Sequence, residues 1–185
     1  MQNNSDSGII YSGGDNKLVK IGEIDFGDNK AVSELIENFC KNNAYSYIEN
    51  VLILSPTGNF YNVTGNKFSV ETSLIGEDNL KGSICVHNHP VSGNEIMGNS
   101  FSDYDLAFTA EYKLGKQYLI SGERKNAFEY TGNLGYDEMI DEYNNAFNIV
   151  RNIAWDTGIE IYAEEQQVME KLNEILEGFT FYENF

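Results

Sequence analysis

His87 and His89 are the only two histidines in the 185-residue chain. They stand one residue apart in Ser83–Asp105, which reads SICVHNHPVSGNEIMGNSFSDYD. Side chains two apart on a strand point the same way. Ser83–Val86 is short and mostly apolar, so the strand it predicts carries both imidazoles to one face at its end. Pro90 stops that strand, because it has no N–H to give a ladder. Two imidazoles and one carboxylate from the next element make three ligands, and a hydrolytic zinc site keeps a fourth position for water. Asp105 is the natural third ligand, since a carboxylate in the first turn of the following helix can face back toward the strand end. Two histidines by themselves are weak evidence for metal. Ser102-x-x-Asp105 also has the spacing of a capping box, with Asp in place of the usual Glu or Gln. Capping and ligation need not exclude each other.

His87-Asn88-His89-Pro90, followed by Phe101-Ser102-x-x-Asp105, resembles the His-x-His-Pro … Ser-x-x-Asp signature of the JAMM (MPN+, or JAB-domain) zinc metalloproteases. The HNHP form is typical of bacterial and phage members, including RadC-like proteins and domains of phage head proteins and polymorphic toxins. The resemblance covers about residues 48–130. It implies that His87, His89 and Asp105 bind Zn2+, that Ser102 helps hold the reacting oxygen, and that a Glu on an earlier strand is the general base. Glu49 holds the comparable place, at the start of the apolar run Ile48–Ser55, with Val51 and Ile53 on its own side. Glu71 and Glu77 are its competitors, and a solvated strand-end carboxylate is the plain alternative. The chain departs from the family in the long interval between His89 and Asp105. Val91–Ser100 therefore reads as an inserted loop, which gates the site, selects substrate or does neither, and Asp103 and Glu95 stay as reserve ligands.

The resemblance implies an α/β fold, a JAMM/MPN-like (cytidine-deaminase-like) mixed central sheet flanked by helices, to which apolar periodicity adds two extra C-terminal helices. It implies amide hydrolysis, of peptide or isopeptide bonds, with a protein or peptide as substrate. A catalytically inert MPN-type assembly module of a phage or toxin system is the alternative. A RadC-like role at DNA is a third, and composition weighs against it. There are 12 basic and 29 acidic residues, a formal net charge of −17. Nonspecific nucleic-acid binding needs Lys and Arg to neutralise phosphates. Such a charge most often keeps a surface solvated.

The elements that must hold this site are legible around it. Twelve tyrosines and 11 phenylalanines within 41% hydrophobic content predict a globular core. Met1–Asp15, rich in Asn, Ser, Asp and Gly, reads as a flexible leader or linker, and suggests a domain of a larger parent polypeptide. Residues 16–185 read as one domain, with its core at 48–131 and a helical extension at 136–178. Lys17–Ile24 predicts a short edge strand. Asp28 caps a helix whose apolar face is Ala31, Val32, Leu35, Ile36, Phe39 and Cys40. Strands are expected at Ile48–Ser55, Phe60–Thr64 and Lys67–Glu71, and one helical turn within Leu74–Gly82. A helix at Asp103–Leu114 stops at Gly115, and strands follow at Lys116–Ser121 and Ala127–Thr131. Tyr136–Trp155, ended by Gly158, and Ala163–Glu177 are amphipathic helices whose apolar stripes face the molecule's own core. The aromatic tail Phe179–Phe185 must pack back or meet a partner. Cys40 and Cys85 read as reduced core residues. No signal peptide or membrane span is visible, so the expected setting is cytoplasmic, or delivery within a larger secreted or phage protein.

Overall fold

The computed structural model describes residues 8–13, 16–92, 95–96, 98–157 and 164–185. Its strands are β1 (Gly8–Gly13), β2 (Asn16–Glu23), β3 (Asn50–Leu54), β4 (Asn59–Thr64), β5 (Ile84–Asn88), β6 (Val91–Ser92), β7 (Glu95–Ile96), β8 (Lys116–Ser121), β9 (Arg124–Tyr130) and β10 (Phe179–Glu183). Its helices are α1 (Asn29–Asn43), α2 (Glu77–Leu80), α3 (Asp103–Tyr112), α4 (Tyr136–Thr157) and α5 (Glu164–Ile175), with a 3-10 turn at Thr72–Ile75. The architecture is a mixed α/β sheet of eight strands flanked by helices, in the order β1-β2-β4-β3-β5-β8-β9-β10. β6 and β7 pair antiparallel as a separate two-stranded sheet.

Every neighbouring pair in the large sheet is antiparallel except β5 and β8. A parallel pair needs a long crossover, and α3 lies on the one between these two strands. That crossover brings the start of α3 over the end of β5. α1 covers one face of the sheet, packing Val32, Ile36 and Phe39 on Leu52, Leu54, Val86 and Ile120. α3, α4 and α5 share the core of the other face, where Leu106, Ala110, Met139, Ala146, Met169 and Leu172 are fully buried with Phe101, Leu119 and Phe128. Each large side chain so enclosed contributes about 1.5–3 kcal/mol. Of the stripes expected to pack within the molecule, Met139, Tyr143, Val150, Val168, Met169 and Leu172 do so, while Ile175 stays exposed.

Several expectations are corrected. Gly8–Gly13, read as linker, is a strand, and β2 is consequently interior between β1 and β4. Ile9, Ile10 and Tyr11 favour extended backbone, and β2 supplies the partner that composition could not reveal. Residues 1–7 lie outside the described residues, as does Gly158. Lys67–Glu71 forms no strand. The Asn66 side chain accepts the amides of Phe68 and Ser69 and turns the chain there. α3 ends before Gly115, with Lys113 itself in the left-handed conformation at φ 53°. The aromatic tail packs back as β10 along β9, and Phe179 stacks on Phe128 at 5.4 Å.

Candidate metal centre

The end of β5 supplies two imidazoles, as its alternation demands. Val51 pairs with His87 and Ile53 with Cys85, so Glu49, Val51, Cys85, His87 and His89 share one face while Val86 and Asn88 take the other. The rings of His87 and His89 lie 5.4 Å apart. Ser102 caps α3 and Asp105 occupies its first turn. The ligand atoms of His87, His89 and Asp105 all fall within 4.8 Å of one another, the only such cluster of three or more among the described residues.

The carboxylate of Asp105 serves two masters with separate oxygens. Oδ2 accepts from the Ser102 amide at 2.8 Å and from the Ser102 hydroxyl at 2.7 Å, and Ser102 Oγ accepts the Asp105 amide at 3.3 Å. That is a complete capping box. Oδ1 stands 3.4 Å from His87 Nε2. Gln117 on β8 donates to the Asp105 carbonyl at 2.8 Å and ties this turn of α3 to the sheet.

His89 is oriented by the end of the long loop. Its Nδ1 lies 3.2 Å from the Gly98 carbonyl, which only accepts, so Nδ1 donates the hydrogen of that bond and Nε2 is the ring nitrogen left for a metal. The same carbonyl accepts from Ser121 Oγ at 2.7 Å. Glu165 on α5 accepts the amides of Asn99 and Ser100 at 2.7 and 3.1 Å. The loop's return is therefore fastened to both β8 and α5, and the C-terminal extension takes part in building the site.

Burial dominates the electrostatics. It pushes His87 down to about 4, an effect that the negative charge of Asp105 only partly offsets. His87 is thus neutral near pH 7, as a metal ligand must be. Its Nε2 is buried with no hydrogen-bond partner. Burial raises Asp105 too, but His87, His89 and the two Ser102 donors outweigh it and leave the carboxyl below its ordinary value. Glu49 is pushed up to about 8, first by burial and then by the charge of Asp105. It lines the same groove as the three candidate ligands.

That groove has a volume of about 1200 Å3. One wall is Lys67–Ser73, and the other is the face of α3 bearing Tyr104, Phe108 and Tyr112. Glu71 lies on its rim, with its carboxylate taken by Ser73 Oγ. Glu77 is exposed in the first turn of α2. Asp103 folds its carboxylate onto the Tyr104 amide and stays outside the ligand group. The side chain of Glu95 lies outside the described residues. Cys40 and Cys85 are free and buried, and burial raises both thiols above their ordinary range, the first to about 11. Neither offers a thiolate nucleophile.

Sequence reasoning missed Gln117, Ser121, Gly98, Glu165 and Asn88. Gly98 lies in the loop itself and Gln117, Ser121 and Glu165 on later elements, and no spacing in the sequence links them to the site. The fifth sat between the two histidines, where alternation alone says that it must face away from them. The chain matches no protein-family model, no curated protein and no solved structure.

Proposed function

We propose that this chain is a zinc-dependent hydrolase of the JAMM type, cleaving an amide bond in a peptide or protein. The observation that carries the reading is the buried Nε2 of His87, unpartnered and 3.4 Å from Asp105 Oδ1. Leaving such a nitrogen without a partner costs about 1–3 kcal/mol. Two ligands each about 2.1 Å from a tetrahedral ion stand about 3.4 Å apart, so the spacing suits a shared cation better than a direct bond. The donor set, two imidazoles and one carboxylate, is that of hydrolytic zinc sites, with a coordination position remaining for water. His87, His89 and Asp105 would hold the ion.

When bound, zinc would polarise the scissile carbonyl and acidify a water. Glu49 takes a proton from the attacking water and passes it to the leaving nitrogen as the C–N bond breaks. Ser102 is expected from the resemblance to help hold the reacting oxygen, and in this structure it has a second task. Its one hydroxyl hydrogen is given to Asp105, so it positions that carboxylate, and aiding an oxyanion would require the hydrogen to be redirected. The groove exceeds the roughly 300–1,000 Å3 of small-molecule sites, which favours a chain-like substrate. Among the described residues no helix is long and apolar enough to cross a membrane.

The test is metal analysis joined to hydrolysis in H2(18)O. The reading expects one zinc per chain, lost on His87→Ala or His89→Ala, and 18O in the new carboxyl termini of cleaved peptides. A purified chain that takes up no zinc when it is offered would overturn it.

A further inference from the structure

The carboxamide of Asn88 brackets Glu49. Asn88 is fully buried on the sheet face opposite the groove. Its Nδ2 donates to the Ile48 carbonyl at 3.1 Å, and its Oδ1 accepts the Asn50 amide at 2.9 Å. These are the backbone groups immediately before and after Glu49. The paired register of β3 and β5 stops at Val51 and His87, so at the next step a side chain takes the place of the main-chain ladder. On its other edge β5 continues its parallel ladder, the amide of His89 donating to the Ile120 carbonyl on β8. Asn50 completes the seat. Its Nδ2 reaches Ser46 Oγ and the Ile48 carbonyl, both at 3.1 Å, and its Oδ1 accepts from Thr64 at 3.3 Å. A buried network with its partners in place holds its members in one arrangement.

We infer that Asn88 is a positioning residue for Glu49: one strand residue ties the two metal-binding histidines beside it to the proton-transferring carboxylate across the sheet. Alternation makes this possible. His87 and His89 turn to the groove, and the residue between them turns to the other face. There it grips the backbone whose side chain at 49 reaches back into the groove. The strand that presents the histidines therefore also sets the position of the base. Asn is suited to the place because it offers a donor and an acceptor together, whereas Asp would set a second acceptor against the Ile48 carbonyl.

The inference rests on the hydrolase reading, so its test has an arm that needs no turnover. In the zinc-free chain, hydrogen exchange at the Asn50 amide is expected to quicken at least about tenfold in Asn88→Ala, with Leu52 unchanged as reference. Asn88→Ser repeats the measurement in a variant that keeps a polar group in the space, in case the alanine variant does not fold. Unchanged exchange at Asn50 in a folded variant overturns the bracket, whatever the enzyme does. The second arm is a double-mutant cycle with Glu49→Gln. Asn88→Ser should retain its zinc, lose about 100-fold in kcat and hold KM within about twofold. In the Glu49→Gln background the same change should add less than about twofold, because its effect passes through a base already removed. Equal losses in both backgrounds overturn the positioning role and leave the hydrolase standing. A native chain without zinc or turnover sinks the hydrolase and the role together, while the exchange result still stands on its own.

Discussion

Asp105 Oδ1 faces His87 Nε2 at 3.4 Å while Oδ2 is held by Ser102, so one carboxylate closes a helix end and looks into a buried site at once. The cap fixes the first turn of α3, and the first turn fixes the carboxylate's rotamer. A ligand so held loses little freedom when a cation arrives. The following expectations grow from that arrangement and from the groups around it.

Replacing Glu49 by Gln should keep zinc and reduce turnover by about 10²–10⁴-fold, the ordinary contribution of a positioned general base. Metal analysis and steady-state rates on one preparation check both halves. The same change should stabilise the metal-free chain at alkaline pH. Glu49 is raised from its ordinary 4.5 to about 8, so the native state favours the protonated form. That contribution is complete below pH 4.5 and is lost as pH rises through 8. Above pH 8 the native chain carries a buried carboxylate near Asp105, and Gln removes it. Melting temperatures of both proteins at pH 5 and pH 9 decide the matter. A difference that does not grow with pH would contradict the assigned cause.

Zinc loading at pH 7 should release protons, up to about one per ion. His87, at about 4, is already neutral at that pH, and Asp105 is already ionised, so neither has a proton to lose. Glu49, at about 8, is largely protonated until a cation beside it favours the charged form. Calorimetric titration in buffers of different ionisation enthalpy counts the protons. Glu49→Gln should lower the count, and an unchanged count would assign the proton elsewhere.

Ser102→Ala removes the acceptor for the Asp105 amide and one of two donors to Oδ2. A lost N-cap costs about 1 kcal/mol. Zinc affinity should fall about 10–100-fold, as for other partners of metal ligands. Thermal melts and chelator competition measure the two effects separately. Retained affinity with lowered stability would make Ser102 a cap and nothing more.

Gly98→Ala should loosen the site from the loop side. Gly98 has φ 93°, and a Cβ there would come within 2.8 Å of His89 Nδ1. The left-handed strain and the collision act together, so the loop or the imidazole must move. Weaker zinc binding with the fold intact is expected by chelator competition and circular dichroism. Unaltered affinity would show that His89 does not depend on the Gly98 carbonyl for its orientation.

Much of the site was readable because it is local. Strand alternation places His87 and His89 together whatever surrounds them, and the Ser102–Asp105 interval is the length of one helical turn. The helical stripes of α1, α4 and α5 were readable for the same reason, since a 3.6-residue period needs no partner to be seen. β1 and β10 were not. An edge strand exists when a neighbour offers free N–H and C=O groups, and nothing in Gly8–Gly13 or Phe179–Glu183 names β2 or β9. The strand expected at Lys67–Glu71 failed in the opposite sense, because the Asn66 side chain captured the amides that a ladder would have used.

By itself, then, the order of residues determined which groups can leave β5 on one face and which carboxylate caps the next helix. Periodicity is a property of the backbone and needs no folding partner to express itself. Only the tertiary structure decided that Glu49 stands near Asp105 with its acidity suppressed by burial, and that Asn88, Gly98, Gln117 and Glu165 hold the site together. Those are tertiary contacts that no periodicity announces, and they come into being when the sheet closes and water is expelled from between its layers.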